Sequence, residues 1–325
     1  MEDKISIIVP AHNAEKYIKK CLISIIKQDY KNKEIIVVIN ATTDNTLLIC
    51  EQINKEFNCI KIINIDEAGV SNARNIGMQL ASGNIIGFCD ADDYIEEGTL
   101  KKINTAFKEE NIDIVVFGYN TRDINGDILT KNLLGQKHLF NSLEFSSYVL
   151  LHPCILGSVC NKFFNSTIIE KYTFNCEITM CEDCYFLIKI LTENNLCILY
   201  DNFVGYNYVQ NLNSATNSLN KLFENEEVKY IQTMELIRRD CKLSESLEYD
   251  VNAACVKLSI DICNILLENN EFEPSQYKNR KKYLINYIKK NYKEFFINRK
   301  ISIKYKIRSI LTLIRIIIYS SRLKL

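Results

Sequence analysis

A chain of 325 residues, 47% of them hydrophobic, has room for one large domain or two modest ones with a substantial core. Forty Lys and Arg balance forty Asp and Glu overall, but from Lys278 to Leu325 fifteen basic residues face one acid, Glu294. That segment therefore carries +14 and the rest of the chain −14, an asymmetry that calls for an anionic partner, either a membrane surface or nucleic acid. The start, "MEDKISIIVP", lacks the pattern of an export signal. No apolar run approaches the roughly eighteen residues needed to cross a bilayer. Thirteen cysteines in such a chain are expected as reduced cytoplasmic thiols.

The first 120 residues alternate between two periodicities. Ile5–Val9 has strand length, and Tyr17, Ile18, Cys21, Leu22, Ile25 and Ile26 recur at helical spacing. A second strand is expected over Glu34–Ile39, then a helix over Leu47–Phe57, a strand over Ile60–Asn64 and a helix over Val70–Ala81. A strand over Ile85–Cys89, a helix over Leu100–Phe107 and a strand over Ile112–Tyr119 follow. This alternation predicts an α/β fold with a mostly parallel sheet covered on both faces, and ligands beyond the carboxyl ends of its strands. Polar clusters sit where such ends fall: "HNAE", "NATTDNT" and "DADD". Asn125-Gly126 marks a hairpin turn, and Leu143–Leu151 and Glu182–Leu191 read as helices. Beyond about residue 212 the pattern is helical throughout, with Leu247, Val251, Ala254, Leu258, Ile262 and Ile265 on one face.

Several groups admit both a chemical and a bland reading. Asp90 and Asp92 point to the same side of a strand end, with Asp93 turned away. Two such carboxylates suit a hard divalent cation, or else form a solvated turn that caps a helix. In "CEDC" the thiols lack a second ligand pair for zinc. Its Glu182 and Asp183 either favour a helix dipole or supply a general base. Arg74, at the edge of the packed face formed by Val70, Ala73, Gly77, Leu80 and Ala81, either sends its guanidinium toward anions or pairs with an acid at the surface. His12 is structural or stacks on a base. Asn40 and Asp44 are turn and cap residues, or groups that bind a nucleoside.

Taken together, "ISIIVPAHNAEKYIKKCLISIIKQDYKNKEIIVVINATTDNT", "GVSNARNIGMQLASGNIIGFCDADD", "CNKFF" and "CEDCYF" resemble the family 2 inverting glycosyltransferases of GT-A fold, in particular bacterial enzymes of capsule, lipopolysaccharide and exopolysaccharide synthesis. The resemblance runs over roughly residues 4 to 210. It implies a GT-A catalytic domain over 1–211, with a nucleotide-binding half to 120 and an acceptor half beyond, followed by a helical region over 212–325. It implies a Mn²⁺ or Mg²⁺ cofactor held by Asp92, and Asp183 as catalytic base. It places Pro10, His12, Asn13, Asn40, Asp44, Arg74, Asp90 and Ala91 around the nucleotide sugar, and Glu182 and Lys162 on the acceptor side. The donor it implies is a nucleotide sugar, a UDP-sugar first, and the acceptor a glycan or lipid-linked glycan. Transfer would be of hexosyl or N-acetylhexosaminyl type. Similar sequences read "VDDGSTD" where this chain has Ile39-Asn40-Ala41-Thr42-Thr43-Asp44, so an Asn amide stands where an Asp is expected to accept the uracil N3–H. A non-catalytic nucleotide-sugar-binding protein with a degenerate pocket is the alternative. A phosphotransferase using "DADD" fits less well, because its nucleophile would follow the first strand rather than the fourth. In the tail, cations interleaved with Ile, Leu and Tyr favour a helix in a membrane interface over nucleic acid, and place the protein peripherally at the inner face of the cell membrane. Packing of Ile310–Ile318 on the protein itself is the plain alternative.

Overall fold

The computed structural model describes residues 2–109, 111–152, 155, 157–210, 222–224, 227–268 and 274–322. In chain order the first elements are β1 (Ile5–Ala11), α1 (Ile18–Ile26), β2 (Lys33–Asn40), α2 (Thr46–Phe57), β3 (Ile60–Ile65), α3 (Val70–Leu80), β4 (Ile85–Phe88), β5 (Tyr94–Ile95), α4 (Thr99–Phe107) and β6 (Ile114–Arg122). Next come β7 (Ile128–Asn132), β8 (His138–Asn141), α5 (Ser142–Leu151), β9 (Lys162–Asn165), α6 (Ser166–Ile169), α7 (Glu182–Glu193) and β10 (Cys197–Val209). The chain divides into two compact units, 1–217 and 218–325; the boundary expected at 211–212 lies outside the described residues.

The first unit is a mixed ten-stranded sheet in the order β3-β2-β1-β4-β9-β6-β10-β5, with β7 on β6 and β8 on β10. Strands β1 to β4, β6 and β10 share one direction, while β9, β5, β7 and β8 oppose it. The sheet is thus mostly parallel and flanked by helices, as the alternating pattern predicts. Burial explains why the parallel strands read as unbroken apolar runs: all of Ile5–Ala11 and six of the eight residues of β2 are buried. The chain leaves β1 for β2 and β3 on one side, then returns to place β4 on the other. The gap between β1 and β4 is the point where strand order reverses, and the loops after β2, β1 and β4 meet there.

Helix α3 lies close against β1. A Cβ on Gly77 would come within 2.3 Å of Ile8 Cγ2, so only glycine allows this approach. Arg74, three residues earlier, falls on the same side of the helix. The buried face of α3 runs through Ser71, Ala73, Arg74 and Gly77. It does not include Val70, the first residue of the helix, which is 37% exposed. The hairpin after β6 turns at Gly126, whose φ of 94° is open to glycine, as the Asn-Gly dipeptide predicts.

The second unit holds β11 (Phe223–Glu224), β12 (Glu227–Val228), α8 (Lys229–Asp240), α9 (Glu245–Glu268), α10 (Pro274–Ile297) and α11 (Ile303–Arg322). The expectation of an all-helical region is corrected by the short antiparallel pair β11–β12; two residues per strand are too few to show a period of two. On α9, Leu247, Val251, Ala254 and Ile262 are buried as expected, whereas Ile265 is 38% exposed. Its buried surface is wider than one stripe because α8, α10 and α11 all pack on it. Among the described residues no helix is long and apolar enough to cross a membrane.

Candidate active site

At the reversal point the residues after β4 leave the sheet in a tight turn, closed by the Asp93 N–H donating to the Asp90 carbonyl at 3.0 Å. The turn sorts its three carboxylates. Asp93 points inward, 2% exposed, and accepts from the Tyr206 hydroxyl at 2.7 Å and the Val209 N–H at 2.8 Å. It fastens the turn to the end of β10. Burial, and then the charges of Asp92 and Asp90, push its carboxyl well above the usual range. Asp90 and Asp92 remain on the open side, with Ala91 buried between them.

The positive group among these acids is Arg74. Its guanidinium is 3% exposed and reaches Asp183 Oδ1 at 2.5 Å, Glu182 Oε1 at 2.8 Å and Asp90 Oδ1 at 3.1 Å. Beneath it lies the ring of Phe174, 5.3 Å from Cζ, itself stacked on Phe186 of α7 with centroids 4.0 Å apart. Burial opposes the charge on Arg74, but Asp183, Asp90 and Glu182 outweigh it and hold the guanidinium protonated. The planar fork serves all three carboxylates from two nitrogens, Nη1 bonding Asp183 and Glu182 and Nη2 bonding Asp90. Arg74 is therefore a buried hub, and the anions it meets in the structure are side chains of its own chain.

Asp183 stands at the N-terminus of α7, which begins after Cys181 in the left-handed region with φ 59°. Its second oxygen, Oδ2, accepts from the Val159 N–H at 3.2 Å. Burial drives the Asp183 carboxyl up to about 7 against the pull of Arg74, with Glu182 and Asp90 adding to the rise. A carboxylate poised near neutrality is suited to taking a proton from a hydroxyl. On Asp90, the second oxygen accepts from the Cys160 thiol at 3.1 Å. The segment Ser158–Lys162 thus touches both acids. The sequence singles out Lys162 there, but it offers no sign that a backbone amide and a thiol carry the contacts.

Lys162 is fully buried at the start of β9. Its ammonium donates to the Ser158 carbonyl at 2.6 Å and to Asn161 Oδ1 at 2.7 Å, while the Asn161 amide donates to the Phe117 carbonyl at 2.8 Å. Lys162 therefore closes the turn whose amide reaches Asp183. Burial lowers its pKa to about 7, against the charges of Cys160 and Asp183.

Across β1 and β2 the residues expected around a nucleotide lie together, though several are engaged. Pro10 is buried in β1. His12 is exposed, with Nδ1 2.7 Å from the Asn40 carbonyl. Asn13, at φ 47°, accepts from the Thr43 N–H at 2.9 Å. Asp44 accepts from the N–H groups of Glu15 and Thr46, both at 3.0 Å, and from the Thr46 hydroxyl at 2.5 Å. Despite some burial, these bonds hold its pKa below the usual value. Its oxygens serve the turn and the start of α2. Asn40 is 4% exposed, and with its amide assigned the orientation that matches its neighbours it donates to the Ala11 carbonyl at 2.6 Å and accepts from the Gly69 N–H at 3.1 Å. An Asp here would set a carboxylate against the Ala11 carbonyl, so the amide is the group this junction needs.

Asp92 pairs with no cation among the described residues. Burial, then the charge of Asp90, push its carboxyl up to about 6. Two hard oxygen donors with excess negative charge fit a divalent cation. Among the described residues, however, no three His, Cys, Asp or Glu gather to hold a metal by themselves. A cation here would complete its shell with oxygens from a ligand.

Comparison with known proteins gives a consistent result. The family described as "Glycosyl transferase family 2" matches residues 6–172. The chain is 32% identical over 188 residues to the glycosyltransferase GlyA of Streptococcus pneumoniae, covering 54% of this chain but only 26% of that relative. Among solved structures, TarS 1-349 of S. aureus in complex with UDP-GlcNAc superposes with a TM-score of 0.65 at 22% identity, covering 88% of this chain and 81% of that one. The mannosyltransferase PcManGT from Pyrobaculum calidifontis, in complex with GDP-Man and Mn²⁺, gives a TM-score of 0.56 at 16% identity over 90% and 88% of the two chains.

Titration of Lys162 leaves a thermodynamic signature. Between pH 7 and 10.5 the unfolded chain holds a proton on this amine that the folded chain sheds, so its contribution makes stability rise with pH. Lys162→Met should flatten that rise and lower stability by about 1–3 kcal/mol through the orphaned Ser158 and Asn161 oxygens. Urea unfolding at pH 7 and pH 9 measures both effects, and an unchanged slope would show that Lys162 keeps an ordinary pKa.

Proposed function

The chain belongs to glycosyl transferase family 2, and from that premise we propose that it moves a sugar from a nucleotide sugar, a UDP-sugar first, to a hydroxyl of a glycan or lipid-linked glycan in cell-surface polysaccharide synthesis. The observation that carries this reading is the gathering of Asp183, Glu182 and Asp90 on buried Arg74 beside the unpaired Asp92, at the reversal point of the sheet.

Asp183 is the general base. An acceptor hydroxyl gives its proton to Asp183, and its oxygen forms a bond to the anomeric carbon. The bond from that carbon to the diphosphate breaks, the electron pair leaves with the diphosphate, and configuration inverts. Arg74 and the Val159 N–H hold the base by its two oxygens, leaving further lone pairs for the proton. Glu182 and the turn kept by Lys162 border the acceptor side. On the donor side, Asp92, with Asp90, would hold Mn²⁺ or Mg²⁺. Such an ion would offset charge on the departing diphosphate. The exposed ring of His12 is the group suited to stack on the base, with Pro10, Asn13 and Asn40 shaping the wall behind it. UDP-GlcNAc on TarS and GDP-Man with Mn²⁺ on the mannosyltransferase support a nucleotide-sugar donor and differ in the base. A lipid-linked acceptor calls for a protein at the inner face of the membrane, and the basic C-terminal segment is the part of the chain suited to that role.

Release of nucleotide from a panel of UDP-, GDP- and CDP-sugars tests the activity. Asp183→Asn keeps shape and removes basicity, so turnover should fall by about 10²-fold or more while donor affinity stays within a few-fold. In the unmodified protein the rate should fall as pH drops through about 7, because the base becomes protonated. A fully active Asp183→Asn protein would remove Asp183 from the mechanism.

The metal is tested separately by calorimetry. Donor binding should strengthen with Mn²⁺ in the unmodified protein and lose that response in Asp92→Ala. Equal affinity with and without Mn²⁺ in the unmodified protein would overturn the cation reading.

A further inference from the structure

Within the second unit, α11 is built inside out. Its inner side is polar: Ser309 and Thr312 are buried, the Tyr305 hydroxyl donates to Asp261 Oδ2 at 2.5 Å, and the Asn264 amide donates to Thr312 Oγ1 at 3.0 Å. These bonds tie the helix to α9. The outer side is apolar: Ile303, Ile307, Ile310, Leu311 and Ile314 are 75, 55, 44, 56 and 46% exposed. Their spacing draws one continuous stripe along the helix. The described part of the segment expected to pack on the protein instead shows Ile310 and Ile314 to solvent; side chains from 316 onward lie outside the described residues.

A helix that spends its polar groups inward and exposes a row of Ile and Leu is made to meet something apolar. Charge narrows the choice. Exposed Lys304, Arg308 and Arg315 border the stripe, and α11 contains no acid. A second copy of this face would set like charges against one another. Nucleic acid would satisfy the cations and leave the stripe in water. An anionic bilayer satisfies both, taking the Ile and Leu side chains into the boundary of the acyl region and the cations among its phosphates.

We propose that α11 is the membrane-docking face of this protein, lying flat in the interface of an anionic bilayer on Ile303, Ile307, Ile310, Leu311 and Ile314. The inference deepens the membrane role proposed above for the basic C-terminal segment but does not depend on sugar transfer, since none of these residues belongs to the first unit.

The test is sedimentation of the full chain with phosphatidylcholine vesicles that contain phosphatidylglycerol, against pure phosphatidylcholine vesicles. The protein should bind the anionic vesicles at low salt, about tenfold or more tighter than the neutral ones, and release as salt rises. The paired substitutions Ile307→Ser and Leu311→Ser should weaken binding by about tenfold or more. Lys304→Gln with Arg308→Gln should weaken it and flatten the salt response. An intact protein that stays in the supernatant at low salt overturns the proposal, as does undiminished binding by the Ile307→Ser, Leu311→Ser protein. A dimer that this pair of substitutions dissolves, with no vesicle binding in the parent, overturns it in favour of a second copy. No sugar nucleotide enters the assay, so its outcome is independent of the donor site.

Discussion

One buried guanidinium organises the first unit. Arg74 joins α3 and the nearby turn after β4 to the start of α7, more than a hundred residues further along the chain, through its bonds to Asp90, Glu182 and Asp183. Desolvating three carboxylates near one another is costly, and a single positive charge offsets only part of it. Burial still holds the Asp183 carboxyl above its usual range against the pull of Arg74, and burial together with neighbouring aspartates raises Asp92 and Asp93 beside it. On this imbalance rest the roles proposed above for Asp92 toward a cation and for Asp183 as a base. Several features of the fold follow from the need to keep this hub in place. Gly77 lets α3 lie close to β1, Phe174 and Phe186 floor the guanidinium, and Lys162 closes the turn that steadies Asp183.

Much of this was legible in the residues. Apolar runs that end in "DADD", "HNAE" and "NATTDNT" locate the strand ends, because a buried parallel strand must be apolar until it reaches the ligand-binding edge. Over the first 120 residues the observed elements differ from the expected ones mainly by a residue or two at their ends, whereas β8, β9 and β10, which complete the sheet, were not expected from the sequence. Arg74 at the edge of a packed face was a usable signal, although spacing alone could not choose between a surface pair and a buried hub. That choice is made by α7, more than a hundred residues away in the chain. Contacts through backbone, such as Val159 to Asp183, leave no trace in side-chain identity. Asn40 shows the opposite limit: its residue type raised a question about base recognition, and the structure supplies a local reason in the Ala11 carbonyl and Gly69 amide that it bridges.

The second unit was less readable for a different reason. Helical spacing in the tail shows that a stripe of Ile and Leu exists, but not whether the stripe faces inward. Polar bonds from Tyr305 and Thr312 to α9 fix that orientation. Composition gave the charge, and only the packing gave the side on which it is displayed. The two units thus divide the chemistry into a buried cluster that gathers acids around Arg74 and a helix that presents cations beside exposed apolar residues.

The central claim is that the Arg74 cluster is where the sugar nucleotide is opened. The most direct measurement is nucleotide release by Arg74→Lys across a pH series. Lysine keeps the charge but gathers it on one nitrogen and lacks the two guanidinium nitrogens from which Arg74 reaches its partners, so Asp183 loses its closest stabilising partner. The account predicts turnover lower by about 10²-fold or more, with the acidic limb of the pH profile moved to higher pH. An Arg74→Lys protein with the parental rate and an unmoved limb would contradict it.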